Sequence, residues 1–251
     1  MSHDLRDKVA VVTGGAGGLG RATALALAAE GVEVVVADVD EEGGRATAED
    51  VGGHFVVTDV ADFDANQAMA RFVVETCGGV DLAYLNAGIQ TGTSVGEDFD
   101  LALYRRAMGV NLDGVVFGTQ ALLAPMKARG GGAIVATASL AGLVGMPIDP
   151  IYTANKHGVV GLTRALGPVL AADGIRFNAI CPGFTESNIV EPIRDLLAQQ
   201  GLDLMDPQVV ADTVVRIMRS DDAGECWFVQ LRREPDRFRF RNVPGPGAAA
   251  D

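Results

Sequence analysis

Tyr152 and Lys156 stand four residues apart in the stretch IYTANKH, residues 151–157. On a helix, that interval puts both side chains on one face. A tyrosine hydroxyl can take a proton from an alcohol, but its ordinary pKa of about 10 is too high for this work near neutrality. Lowering it by about three units takes roughly 4 kcal/mol of preference for the phenolate. An ammonium one helical turn away pushes in that direction, and it can also bond the ribose hydroxyls of a nucleotide. Taken alone, such a pair is more often two amphipathic side chains on a surface helix. Two further residues raise the reading. Ser139 closes an apolar stretch and offers a hydroxyl that can hold a substrate oxygen beside the tyrosine, with Thr137 as its nearest competitor. Asn111 lies inside a long helical pattern, where asparagine is unfavourable, so a cap, a kink or a function must account for it.

These residues need a frame, and the chain supplies one. Short β-branched runs alternate with longer helical patterns. Strands are predicted at Lys8–Thr13, Glu33–Asp38, His54–Asp59, Asp81–Ala87, Ala133–Ser139, Ile175–Cys181 and Cys226–Gln230. Helices are predicted at Leu19–Glu30, Glu41–Val51, Phe63–Cys77, Leu101–Arg129, Tyr152–Asp173 and Pro207–Arg219, the last started by Asp206 as N-cap with proline behind it. Several strands are apolar throughout, as expected when helices cover both faces of a sheet. The alternation implies an α/β fold: a doubly wound, seven-stranded parallel sheet with right-handed crossovers and helices on both faces. Residues 1–242 read as a single domain, and 243–251 (VPGPGAAAD) as a tail with too little to bury.

In such a sheet, ligands bind beyond the carboxyl ends of the strands. The first strand runs into TGGAGGLGRAT, which places Gly14, Gly17, Gly18, Leu19 and Gly20 at a strand-to-helix turn. Bare backbone amides at a helix N-terminus attract a pyrophosphate. Asp38 ends the second strand 18 residues beyond Gly20, near the spacing at which an acid bonds adenosine ribose hydroxyls. A carboxylate there repels a 2′-phosphate, and Val39 stands where an arginine would attract one. NAD is therefore favoured over NADP.

Composition narrows the alternatives. The chain has 251 residues, 33 acidic against 20 basic, for a formal charge of −13. A chain this acidic is a poor partner for nucleic acid or an anionic membrane. Arg232, Arg233, Arg237, Arg239 and Arg241 form its one basic cluster and read as an edge strand or tail. There is no signal-like start and no clean apolar run of membrane length, so a cytoplasmic location is expected. Cys77, Cys181 and Cys226 show no metal spacing and read as free thiols in a packed core; His3, His54 and His157 lie far apart. No metal site is expected.

From Lys8 to about Gln230 the chain resembles the short-chain dehydrogenase/reductase family. The residues that carry the likeness are Thr13-Gly14-x-x-x-Gly18-x-Gly20, Asp59-Val60, Asn86-Ala87-Gly88, Asn111, Ser139, Tyr152-x-x-x-Lys156 and Pro182-Gly183, in order and at family-like spacing. Within the family, CPGF, GECWFVQ and the absence of a glycine-rich end look similar to 15-hydroxyprostaglandin dehydrogenase-like members. The resemblance implies an NAD-dependent oxidoreductase that passes a hydride between a secondary alcohol and NAD, giving the ketone. Tyr152 would act as base, Lys156 would lower its pKa, and Ser139 would orient the oxygen. Asn111 would distort its helix and free a carbonyl for a water that links Lys156 to solvent. It also implies that Asp59 and Val60 meet the adenine, that Asn86, Ala87 and Gly88 lie along the adenosine side with Asn86 bracing the sheet, and that Pro182, Gly183, Thr185 and Ser187 lie near the nicotinamide. A reductase working with NADH is the reverse of the same chemistry. A dinucleotide-binding regulatory protein without catalysis is the alternative from another class.

The segment Phe184–Met205 is expected to form a lid. Its Ile189, Val190, Ile193, Leu196 and Leu197 can either face a hydrophobic substrate or dock the lid. Gln90, Met146, Ile148, Phe184 and Ile189, with Ser139, are the substrate-pocket candidates. Pro168, behind Gly167, is expected to kink the Tyr152 helix. With the usual glycine-rich end replaced by LRREPDRFRFRNVP, a homodimer through the long helices is favoured over a tetramer.

Overall fold

The computed structural model describes residues 3–241; the expected tail at 243–251 lies outside them. In chain order the elements are β1 (Val9–Thr13), α1 (Gly18–Ala29), β2 (Glu33–Asp38), α2 (Glu41–Asp50), β3 (His54–Val57), α3 (Phe63–Cys77), β4 (Leu82–Leu85), α4 (Leu101–Met108), a π-helical turn (Gly109–Asp113), α5 (Gly114–Ala128), β5 (Gly132–Thr137), α6 (Pro150–Ala171), β6 (Ile175–Pro182), α7 (Arg194–Gln199), α8 (Pro207–Arg219), β7 (Cys226–Gln230) and β8 (Arg233–Arg237). Short 3-10 turns occupy Leu140–Gly142 and Glu191–Ile193.

The sheet order is β3-β2-β1-β4-β5-β6-β7-β8. β1 to β7 are parallel, and β8 pairs antiparallel with β7. Alternation of side chains splits the core into two layers. Val9, Val11, Val35 and Ala37 face α3, α5 and α6, while Ala10, Val12, Val34 and Val36 face α1 and α8. The chain crosses from β3 over β1 to β4, so the order reverses between β1 and β4 and opens a crevice at their carboxyl ends.

Seven strands were expected and eight are present among the described residues. β8 reads REPDR, charged and proline-bearing, and falls in the arginine cluster that the sequence offered as an edge strand or tail; the sheet makes it the edge strand. Tertiary contacts hold it: Arg232 turns the chain at a φ of 60°, Arg233 stacks on Phe228, and Arg237 lies over Trp227 while pairing with Asp222. A short charged strand also guards the sheet edge against further pairing.

The predicted helix over 101–129 is α4 and α5 joined through the π-turn that contains Asn111. Leu101–Ala128 has 28 residues and contains an 18-residue window of mean hydropathy 1.2, enough by length and composition alone to cross a bilayer. Its Val115, Leu122 and Met126 are buried in the core instead. α6 begins two residues before Tyr152, because Asp149 caps it by accepting from Tyr152 N at 2.9 Å and Pro150 follows. The helix runs through Pro168 to Ala171. Proline here falls in the last turn, where one lost bond does not end the helix. Gly167 packs against Gly224, where an added Cβ would lie 2.2 Å from the Gly224 nitrogen.

Candidate active site

Tyr152 and Lys156 face the end of β5, as their interval on α6 requires. Lys156 is 1% exposed, and its Nζ donates to the Thr137 carbonyl at 2.7 Å. Burial lowers its pKa to about 8, partly countered by the neighbouring Cys181 thiol. The ammonium lies 5.5 Å from the centre of the Tyr152 ring. Tyr152 is half-buried and its hydroxyl is in hydrogen-bonding contact with Ser139. Ser139 sits just beyond β5, where its Oγ accepts from Ala141 N at 3.1 Å and so caps the 3-10 turn.

The lysine is expected to make the phenol more acidic together with oxidised nicotinamide; in the protein without cofactor the phenol is pushed up to about 12. Burial is the largest cause, Asp149 adds to it, and the Ser139 hydrogen bond opposes it without overcoming it. The physical reason is that a phenolate loses more by leaving water than one ammonium, bonded elsewhere, returns.

The loop after β4 is tied to both neighbouring strands. Asn86 N and Ala87 N donate to Thr13 Oγ1 at 2.9 and 3.2 Å. Asn86 Nδ2 donates to the Thr13 and Gly14 carbonyls, each at 3.2 Å, and Thr137 Oγ1 donates to Asn86 Oδ1 at 3.2 Å. Asn86 therefore joins β1, β4 and β5. Asn111 is fully buried; it donates to the Ile89 carbonyl at 2.9 Å and accepts from Ile89 N at 2.8 Å. It braces the same loop from below and does not line the cleft. The π-turn is the helix distortion its position suggested.

Asn86, Thr137, Ser139, Tyr152 and Lys156 line one cavity of about 1110 Å³ at the carboxyl ends of the strands. That is larger than a typical small-ligand pocket and has room for a dinucleotide and a second molecule. Every residue proposed from the sequence for cofactor or substrate lines it except Gly20. An added Cβ at Gly20 would lie 2.0 Å from the Gly14 carbonyl oxygen and 2.9 Å from Asn86 Nδ2, so this glycine lets helix α1 approach the β1 turn. Gly17 differs: a Cβ there would meet nothing within 4 Å, which leaves its backbone open to the cleft.

The residues present fit a nicotinamide dinucleotide. Three acids, Asp38, Asp40 and Asp59, line the end next to the glycine turn. The basic residues lining the cavity, among those described, are Arg106, Lys156 and Arg232, and Arg232 is paired with Asp203 at 2.9 Å. Asp38 accepts from Ala16 N at 2.9 Å and from Asp40 N at 3.0 Å, so it also shapes the glycine turn. At the other end, Lys156 carries three donors and gives one to protein among the described residues, which leaves two for ribose hydroxyls.

The lid begins where Thr185 and Met205 form a parallel bridge, with Met205 N donating to the Phe184 carbonyl at 2.9 Å. Its apolar residues divide between the two readings: Leu197 is buried, Ile189, Ile193 and the buried Val190 line the cleft, and Leu196 faces solvent. Gln90 Nε2 donates to the Ile189 carbonyl, which ties the lid to the β4 loop. Arg194 clasps Glu186 with two bonds of 2.9 and 2.6 Å. Thr185 and Ser187 turn their hydroxyls to the Gly183 and Thr185 carbonyls, so both also hold the lid's first turn.

Sequence reasoning missed Asp149 as a site builder, and it named Thr13 only within the family motif and Thr137 only as a competitor of Ser139. Asp149-Pro150 repeats the Asp-Pro helix start already visible at Asp206-Pro207, so that signal was available. The bonds that tie Thr13 and Thr137 to Asn86 span 73 and 51 residues of chain, beyond the reach of a local pattern.

Residues 8–197 match the family model for short chain dehydrogenase. The chain is 37% identical over 233 residues to cyclohexanol dehydrogenase of Acinetobacter sp. (strain SE19), covering 89% of this chain and 92% of that one. It is 37% identical over 227 residues to levodione reductase of Leifsonia aquatica, covering 88% and 83%. The crystal structure of a short-chain type dehydrogenase/reductase from Mycobacterium marinum superimposes with a TM-score of 0.84 at 29% identity, over 90% of this chain and 95% of that one.

Proposed function

This chain belongs to the short-chain dehydrogenase family, an oxidoreductase by that membership, and we propose that it oxidises a ring-borne, hydrophobic secondary alcohol to the ketone with NAD. The observation that carries the reading is the meeting of Ser139, Tyr152 and Lys156 at one end of a cleft whose other end holds Asp38. Bound NAD supplies the acceptor for the hydride. Ser139 holds the alcohol oxygen beside Tyr152, and Tyr152 Oη takes the hydroxyl proton. Lys156 holds the ribose hydroxyls and adds a positive charge beneath the phenol. Asn111 keeps the 86–90 loop in place and supports the route by which the proton reaches solvent. Ile189, Ile193, Met146, Ile148 and Phe184 give the alcohol an apolar pocket, in keeping with a relative named for cyclohexanol.

The preference for NAD rests on the three acids around the adenosine end, since like charges placed together cost several kcal/mol. The likeness to a reductase favours reversibility, and rates measured in both directions at physiological cofactor ratios separate the two roles. A homodimer in the cytoplasm completes the reading; Val116 on α5 and Val169 on α6, 39% and 63% exposed, offer the long helices an apolar contact.

The test is a panel of cyclic secondary alcohols assayed at the reduced-nicotinamide absorbance. Tyr152→Phe should lower turnover by at least about a hundredfold, the range for removing a general base, while NADH still binds. Undiminished turnover in that variant would reject the assignment.

A further inference from the structure

At the opposite edge of the sheet, three side chains of different donor chemistry meet. Glu33 opens β2, His54 opens β3 and Cys77 closes α3. His54 stands opposite Val35 in the parallel register. Because side chains alternate along a strand, Glu33, two residues before Val35, projects to the same face as His54, the face that α3 covers. His54 Nε2 lies 3.1 Å from Glu33 Oε1, and the Cys77 sulfur lies within 4.8 Å of both side chains. One nitrogen, one sulfur and one oxygen thus lie within 4.8 Å of one another. Cys77, expected in the packed core, is half-buried at this rim.

We propose that Glu33, His54 and Cys77 bind a zinc ion, with a water as the fourth ligand. In a tetrahedral zinc site, nitrogen, oxygen and sulfur ligands stand about 3.3 to 3.6 Å apart, from bond lengths of about 2.0 to 2.3 Å. His54 and Glu33 already stand near this spacing, and the Cys77 sulfur lies within 4.8 Å of both. A set of one thiolate, one imidazole and one carboxylate suits zinc, whereas calcium and magnesium take oxygen ligands. On binding, the Cys77 thiol gives its proton to solvent and sulfur bonds the metal. Without metal, burial and the Glu33 carboxylate hold that proton in place and push the thiol up to about 12. The ion would clip the end of α3 to the starts of β2 and β3, the strands that lead to Asp38 and Asp59 in the cleft. The intervals of 21 and 23 residues between the ligands match no compact metal motif, so only the folded chain brings them together. The inference does not rest on the proposed dehydrogenase activity.

The experiment titrates the full chain, stripped by a chelator, with cobalt and then zinc. The expected result is a single tightly bound cobalt with a thiolate-to-cobalt charge-transfer band, displaced by zinc, and a zinc-dependent rise in Tm. Cys77→Ser should remove the band, and His54→Gln should weaken binding by more than about tenfold, the lower bound seen even for groups that only support a ligand. Both variants should keep the far-ultraviolet dichroism of the native fold and the same Tm in chelator. Absence of binding to the folded wild type, a cobalt spectrum without thiolate character, or a band that persists in Cys77→Ser would each overturn the proposal.

Discussion

Lys156 Nζ gives its 2.7 Å hydrogen bond to the carbonyl of Thr137, not to the phenol of Tyr152. The ammonium is thereby fixed under the tyrosine at the cost of burying a charge. Its pKa falls from 10.5 to about 8, a penalty of about 3 kcal/mol at neutral pH.

Lys156→Met should therefore lose turnover while gaining stability. Thr137 would lose a partner, which costs about 1 to 3 kcal/mol, so the net gain at pH 7 should be about 1 kcal/mol by denaturant unfolding. The sign with pH is fixed. Below pH 8, both folded and unfolded wild type carry the charge. Between pH 8 and 10.5, the folded protein releases its proton first, so wild-type stability rises relative to the variant. The gap should shrink across that window; a gap independent of pH would mean that Lys156 is not buried as a cation.

The free protein's Tyr152 should titrate near 12, measured as the ultraviolet difference between wild type and Tyr152→Phe. With oxidised cofactor bound, the same titration should move toward neutrality; with reduced cofactor, it should move less. Equal titrations in the two complexes would remove the electrostatic reason for an active phenol.

Gly20→Ala and Gly17→Ala should fail in different ways. The first places a methyl 2.0 Å from the Gly14 carbonyl oxygen and should cost about 3 kcal/mol or more in stability. The second points into the cleft and should leave Tm nearly unchanged while raising the Kd for NADH. Thermal unfolding and fluorescence titration on the two variants give the comparison.

Exchanging the acid at the adenosine end should switch the cofactor. Asp38→Ser combined with Val39→Arg removes the like charge and adds a cation. The kcat/KM ratio of NAD to NADP should fall by about two orders of magnitude. An unchanged ratio would show that Asp38 acts only on the turn, through Ala16 N.

Arg194→Ala should loosen the lid, since it removes both bonds to Glu186 and the one to Glu191. KM for the alcohol should rise several-fold with a smaller change in kcat. A Gln90→Ala variant, which unties the lid from the β4 loop, should follow the same pattern.

The alternation of apolar and helical stretches was enough for the α/β order, because period-2 and period-3.6 patterns are local. The Tyr152 to Lys156 interval, the glycine turn and Asp38 were readable for the same reason: one helix face, one turn and one strand end decide where they point. The sequence left β8 open between edge strand and tail, since REPDR has little local preference for a strand; contacts with Trp227, Phe228 and Asp222 decide for the strand. The spacing of Tyr152 and Lys156 shows a neighbouring charge but not the burial that raises the phenol in the free protein. Gly20 was placed against the cofactor, and only helix packing shows it against Gly14 instead. The meeting of Glu33, His54 and Cys77 lay wholly beyond the sequence, whereas the bracing of the sheet by Asn86 was implied by the family resemblance and only its partners, Thr13, Gly14 and Thr137, came from the fold. Local propensity sets which elements form, but contacts between residues far apart in the chain depend on how the sheet is ordered and in which register its strands lie.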